Sequence, residues 1–365
     1  MQVHNLALQR NKYKHLSDDE WRWFLQQVGG RERTTDKLPT FAAIEDWWYP
    51  VRLSCEQCSS EQTAKYKASL VSGEKMADLT GGYGVDTFFL SEKFTQTDYV
   101  EQDAELCRIA EHNFRNNSGI KTHNSTAEVF METAGQYDLL FADPYRRDSH
   151  GGKVFRLEDC TPNIVALLPT LLAHLTSKGR ILLKLSPMLD ITQATNALSL
   201  TTWDIYVVAV KNEVKEVLLL SGGNGHITAI DLAAPEQAFV FTREEERDCL
   251  LSNGDALLHG AYLYEPNAAI LKAGAYKLVA QRFDLQKLDV NTHLYTSSSL
   301  VADFPGRIWR ITEQTDVKQA NVLTRNYPLT PEQLKKKLRI KDGGDAFIIG
   351  CRVQGKPTLF HCERI

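Results

Sequence analysis

The sequence predicts an α/β fold: a doubly wound sheet, preceded by a helical segment and followed by a small α+β module. Three observations predict it. From Glu74 to about Gly222, short apolar runs alternate with helical patterns, as buried strands joined by crossover helices do. The first run, Met76–Leu79, enters the turn Gly81-Gly82-Tyr83-Gly84 and leaves it in a helix rich in Phe and Leu. After Gly222-Gly223-Asn224-Gly225 the regularity breaks, and the chain closes with a helix-start signal and a hairpin.

Composition sets the bounds. A length of 365 residues favours two or three domains, and 43% apolar with 24% charged residues suits a soluble protein with a sizeable core. No apolar run approaches the roughly 20 residues that span a bilayer. The start of the chain, with His4, Arg10, Lys12 and Lys14, has no signal-type stretch, so a cytoplasmic protein is expected. Cys55 and Cys58 are the one close pair among seven scattered cysteines, which points to reduced structural thiols and no metal site. Residues 322–365 hold nine Lys/Arg against four Asp/Glu, a net +5, which leaves −9 for the rest of the chain. A basic module on an acidic body hints at a polyanion partner.

Residues 1–70 read as helices. Ser17-Asp18-Asp19-Glu20 forms a capping box ahead of Trp21, Phe24, Leu25 and Val28 at helical spacing. Trp47-Trp48-Tyr49-Pro50 ends a second helix, its aromatics packing on the next domain or stacking on bases. Ser59-Ser60-Glu61-Gln62 starts a third, which runs through Leu70.

Residues 71–232 carry the sheet. Strands are expected at Met76–Leu79, Tyr99–Glu101, Lys121–His123, Tyr137–Ala142 and Gly179–Lys184, with Ile205–Val210 and Val217–Leu220 as a final antiparallel pair. Helices are expected at Asp86–Lys93 and Glu105–Asn116, and a third starts from a Thr161 cap with Pro162 in its first turn and closes at Leu171–Leu175. Residues 233–320 read as a linker with a helix after Thr242, a helix over Ala268–Ala280 and a strand at Arg307–Ile311. The last module, 321–365, has a strand at Asn321–Thr324 and a helix started by Thr330-Pro331-Glu332-Gln333. Leu334 and Leu338 face inward there, amid Lys335, Lys336, Lys337, Arg339 and Lys341, and a hairpin turns at Gln354-Gly355-Lys356.

The glycine turn carries the chemistry. A dinucleotide fold wants a third glycine where this chain has Thr87, and Asp78 ahead of the glycines would repel a pyrophosphate. The ligand half beside Asp78 is therefore expected to be cationic; the plain alternative is an ordinary βα turn. Glu101 ends the second strand 23 positions after Asp78, where a carboxylate accepts both hydroxyls of a ribose.

Asp78–Thr87 resembles motif I of the class I S-adenosylmethionine-dependent methyltransferases, so the resemblance implies a Rossmann-like sheet and S-adenosylmethionine as cofactor. In that family the aspartate holds the methionine ammonium. The expected cofactor contacts are Asp78, Thr80, Gly81, Gly82, Tyr83, Gly84, Glu101, Gln102, Ser125 and Asp143. Asn124-Ser125 falls where the family often has an Asp for the adenine amine, and Ser125 departs from it. Asp143-Pro144-Tyr145 resembles the Asp/Asn-Pro-Pro-Tyr motif of amino-group methyltransferases with one proline missing. There the acid and a backbone carbonyl accept from an exocyclic amine while the aromatic stacks on the base.

Ribose 2′-O-methyltransferases are a rival resemblance, with a Lys-Asp-Lys-Glu tetrad. Asp143, Lys184 and Glu216 (or Glu213) would fill three places and Lys65 or Lys67 the fourth; alternatively Lys184 merely pairs with Glu216. The expected catalytic set is thus Asp143, Pro144, Tyr145, Lys184 and Glu216. Arg146, Arg147 and Lys153, in a loop with Gly151-Gly152, read as phosphate contacts or as partners of Asp148, Glu158 and Asp159.

Taken whole, the chain resembles bacterial methyltransferases with a C-terminal THUMP-like domain, most distinctively at Asp78–Thr87, Asp143–Asp148, Lys153–Cys160 and Lys184–Pro187. That implies an RNA partner, tRNA or rRNA, and leaves room for a ferredoxin-like unit at roughly 235–320. A non-catalytic binding protein that retains the cofactor fold is a competing class, as is a small-molecule or protein methyltransferase. The oligomeric state stays open.

Overall fold

The computed structural model describes residue 6 and residues 10–146, 156–250, 261–313 and 316–365. It divides into two compact units, Met1–Trp203 with Leu218–Gly223, and Asp204–Val217 with Asn224–Ile365. No helix among the described residues is long and apolar enough to cross a membrane. All seven cysteines are free thiols.

The first unit opens on helices. Helix α1 (Asp18–Thr34) has the full capping box, Ser17 Oγ accepting from Glu20 N–H and the Glu20 carboxylate accepting from Ser17 N–H. Helix α2 (Pro39–Ala43) stops well before Trp47–Pro50, which corrects the expected helix end. That aromatic stretch is held in irregular backbone instead: the Tyr49 carbonyl accepts from Gln26 and Gln27, and Trp47 packs on Phe41 with ring centroids 4.2 Å apart. Trp48 stacks on His112 at 3.6 Å. A short unforeseen helix, α3 (Arg52–Gln57), precedes α4 (Glu61–Ser69), which Ser60 caps.

The alternating elements then follow: β1 (Lys75–Asp78), α5 (Val85–Ser91), β2 (Gln96–Glu101), α6 (Ala104–Phe114), β3 (Ile120–Asn124), α7 (Ala127–Glu132) and β4 (Tyr137–Ala142). After them come α8 (Ile164–Ala173), β5 (Leu175–Leu185), α9 (Ile191–Ala197), β6 (Trp203–Val210) and β7 (Glu213–Ser221). The cap of α8 differs from expectation. Asn163 caps it, accepting from Ala166 N–H, because Thr161 is taken up in a two-residue strand paired with Tyr145. The helix also ends earlier, and Leu175 opens β5.

Regularity does not break after Gly225 as the glycines suggested. Strand β8 (His226–Asp231) pairs parallel with β6, and β9 (Phe239–Thr242) pairs antiparallel with β8, so the sheet reaches nine strands in the order β3-β2-β1-β4-β5-β7-β6-β8-β9. Within it β1 pairs parallel with β2 on one side and β4 on the other. The strand order reverses there, and ligands of open α/β sheets bind at the carboxyl ends of such strands.

In the second unit, α10 (Arg243–Asp248) has a Thr242 capping box and is followed by β10 (Tyr262–Pro266). The single helix expected over Ala268–Ala280 is two, α11 (Ala268–Ala273) and α12 (Lys277–Arg282). Gly274, at φ +86°, breaks them, a left-handed conformation that ends a helix readily at glycine. There follow β11 (Gln286–Asp289), β12 (Thr292–Ser297), β13 (Gly306–Ile311), β14 (Asn321–Arg325), α13 (Pro331–Leu338), β15 (Ala346–Val353) and β16 (Lys356–Arg364). They form a seven-stranded sheet, β11-β12-β10-β13-β16-β15-β14. Strand β13 pairs with both β10 and β16, so the strands after 321 share one sheet with strands before it. Leu334 is buried on Ala320, Val322 and Ile348, which leaves the lysines of α13 outward.

Candidate functional site

Strand β1 carries Asp78 to its carboxyl end and buries it, 1% exposed. Its carboxylate accepts from Thr80 N–H at 3.0 Å and from the Thr87 hydroxyl at 2.6 Å. No cationic side chain among the described residues pairs with it. Burial pushes this carboxyl from 3.8 up to about 7, with Asp86 and Asp143 adding repulsion and the hydrogen bonds from Thr87 and Thr80 opposing the rise. A cation placed beside it would favour the ionised form.

The glycine turn follows. Gly81 N–H donates to Val100 O and Gly84 N–H to Gly81 O, both at 2.8 Å. A Cβ on Gly81 would lie 2.2 Å from the Tyr99 ring, and one on Gly84, at φ +80°, would lie 2.6 Å from Phe114. Only glycine fits either place. Glu101, 9% exposed, accepts from Gly82 N–H and Asp103 N–H, each at 2.8 Å. Each carboxylate oxygen keeps a further lone pair for a ligand hydroxyl. The Tyr83 hydroxyl accepts from Trp47 Nε1 at 3.0 Å, and burial raises the phenol.

These residues line a cavity of about 810 Å³. Asp78–Gly84, Glu101, Gln102, Ser125, Asp143, Tyr145 and Lys184 all face it, so the first unit brings together most of the expected set. Its walls mix apolar Val100, Leu106 and Phe141 with the two acids, a lining that fits an adenosine-bearing cation. Gln102 donates to the Tyr145 hydroxyl at 2.6 Å, and Ser125 Oγ donates to the Thr126 carbonyl at 3.1 Å.

At the far end, Asp143 N–H donates to Thr80 Oγ1 at 2.7 Å, which ties the exit of β4 to the glycine turn. Its Oδ2 lies 2.5 Å from Lys184 Nζ. Lys184 also faces Asp86 at 3.6 Å, and Asp86 pairs with the wholly buried Lys67 at 3.1 Å. Burial alone would raise Asp86, but the two ammonium groups outweigh it and hold the carboxyl below its usual range.

Other expected residues lie elsewhere. Pro144 is buried and does not line the cavity, nor does Glu216, buried in β7. Lys65 pairs with Glu61 at 2.5 Å on α4, which leaves Lys67 as the lysine of that helix near the site. The side chains of Arg146, Arg147, Asp148 and Lys153, with Gly151 and Gly152, lie outside the described residues.

Sequence reading had Lys67 only as an alternative to Lys65 in the rival tetrad, and it missed Asp86, Ser59 and Thr87 as site residues. An acid one residue into the helix after a glycine turn was the available signal for Asp86; nothing local marks Lys67.

Residues 262–305 match a ferredoxin-like domain family, and residues 306–364 match a THUMP domain-like family. Two sequences from Mycobacterium tuberculosis strains, CDC 1551 / Oshkosh and H37Rv, are each named an uncharacterised S-adenosylmethionine-dependent methyltransferase. Each is 22% identical over 94% of this chain and 96% of its own length. A crystal structure described as a methyltransferase from Porphyromonas gingivalis W83 superposes with a TM-score of 0.83 at 32% identity, over 96% of this chain and 92% of that one. The chain belongs to this family of S-adenosylmethionine-dependent methyltransferases and carries ferredoxin-like and THUMP-like modules at residues 262–305 and 306–364.

Proposed function

We propose that the enzyme methylates an exocyclic amine of an RNA base, in tRNA or rRNA, in the cytoplasm. The observation that carries this is the Asp143 N–H to Thr80 Oγ1 bond, which sets Asp143-Pro144-Tyr145 beside the turn that takes the methyl donor. S-adenosylmethionine supplies an electrophilic methyl group on a sulfonium. Asp78 takes its ammonium, the Gly81–Gly84 backbone its carboxylate end, and Glu101 its ribose. Ser125 lies at the adenine side. Asp143 accepts from the acceptor amine and directs its lone pair, while Tyr145, half exposed, offers a stacking face. RNA is favoured by the THUMP-like match and by the outward lysines of α13.

A second reading, a ribose hydroxyl as acceptor, draws on the approach of Lys67, Asp143 and Lys184 in one cluster. A hydroxyl needs a base. Lys184 is ion-paired to two carboxylates, an arrangement that favours an ammonium over a free amine, so the amine reading is preferred.

Mass spectrometry of RNA nucleosides from cells with and without the protein tests the proposal. Loss of one base-methylated nucleoside supports it. An unchanged RNA profile contradicts it, and loss of a ribose-methylated nucleoside selects the second reading.

A further inference from the structure

Two residues with no part in the preferred amine reading, Lys67 and Asp86, lie behind Lys184. Lys67 has no exposed surface, and its Nζ sits 3.1 Å from Asp86 Oδ1 and 3.3 Å from Ser59 Oγ. Asp86, in the first turn of α5, accepts the Ser59 hydroxyl at 2.7 Å and faces Lys184 at 3.6 Å. Lys184 then meets Asp143 Oδ2 at 2.5 Å. Positive and negative groups alternate from the buried floor to the cavity wall.

Such a chain is a poor way to stabilise a core. Each desolvated ion costs several kcal/mol, and well-packed apolar residues in place of a buried ion pair are often neutral or stabilising. What the chain does achieve is orientation. Lys184 is held between two carboxylates, and one oxygen of Asp143 is taken by it.

We propose that Lys67 and Asp86 are positioning residues for Asp143: they fix Lys184, which pins Asp143 Oδ2 and leaves Oδ1 to accept from the incoming acceptor. This rests on the reading of Asp143 as the acceptor-end carboxylate. It also makes the N-terminal helices, through Ser59 and Lys67, part of the active site.

The test is the rate at which Lys184 is acylated in the full-length protein, followed by peptide mass spectrometry from pH 7 to 10. Asp86 and Asp143 face Lys184 directly; Lys67, Asp78 and Cys58 stand around them, and Glu216 is on the neighbouring strand. Asp86→Asn removes one carboxylate, so labelling at a given pH should quicken about tenfold or more. Lys67→Met leaves Asp86 to pair with Lys184 by itself, so labelling should slow. A loosened fold would quicken both, so shifts of opposite sign support positioning, and shifts of the same sign, or none, overturn it.

Methyl transfer to RNA by the same variants separates this proposal from the functional reading. A fall in kcat for Asp86→Asn, with KM for the donor kept, supports positioning; unaltered transfer overturns it. Opposite labelling shifts in the two variants, with a wild type that methylates no RNA, leave positioning standing and remove the RNA reading.

Discussion

Thr87 donates its hydroxyl to Asp78 Oδ2 at 2.6 Å, from the helix position where a dinucleotide-binding turn carries its third glycine. The departure from the glycine pattern is thus a working part of the acid corner. Thr87→Val keeps the shape and removes the donor, so ionised Asp78 loses a stabilising bond. Calorimetry at pH 7 should show S-adenosylmethionine binding weakened by at least about 10-fold, the lower end of the scale for one hydrogen bond to a charged group. Thr87→Ser should stay near wild type.

Asp78 also sets a pH dependence. Its folded carboxyl is raised from 3.8 to about 7, so the ligand-free protein holds a proton that the unfolded chain has lost. Its contribution to stability is therefore full below about pH 4 and is lost as pH rises through 7. A ligand ammonium favours the ionised acid, so binding should release a proton below pH 7. Affinity should rise up to tenfold per unit from pH 5 to 7, then fall once the ligand's amine deprotonates near pH 8. Calorimetry in buffers of different ionisation enthalpy counts that proton; no proton release at pH 6 contradicts the assignment of Asp78.

Glu101 has two duties, since it anchors the Gly82 and Asp103 amides as well as facing the cavity. Glu101→Ala should weaken S-adenosylmethionine by about 1.5–3 kcal/mol, the range for hydrogen bonds to a charged group. Glu101→Gln should lose less, because an amide oxygen still accepts one of the two.

The lysines of α13 should not contribute equally. Lys335 is drawn to Asp342 at 2.6 Å, whereas Lys336 and Lys337 stand on exposed positions of the same helix. Reversing the charges of Lys336 and Lys337 should lower the slope of log affinity for tRNA against log salt by about 2, since each phosphate contact carries close to one unit. An unchanged slope places the RNA contact elsewhere.

What the sequence disclosed was local. The acid–glycine turn, the cap at Ser17, the capping box at Thr330 and the hairpin at Gln354–Gly355 each depend on neighbours within a few residues, and each stands where its pattern falls. The misreadings were tertiary. Thr161-Pro162 has the composition of a helix start, but the pairing of Thr161 with Tyr145 gives it another use. Strands β8 and β9 hide behind glycines because β6, not local pattern, recruits them. Lys67 meets Asp86 only once α4 packs against α5, and no spacing within either segment announces that contact.

Asp143, tied to the glycine turn through its backbone, is proposed to accept from the substrate amine. Wild-type and Asp143→Ala proteins should be compared by nucleoside mass spectrometry after incubation with S-adenosylmethionine and total RNA, alongside calorimetric donor affinity. A base-methylated nucleoside is expected from the wild type, none from Asp143→Ala, and donor affinities within about twofold of each other, since Asp143 bonds the turn through its backbone N–H. Methylation by Asp143→Ala at the wild-type rate would contradict this role.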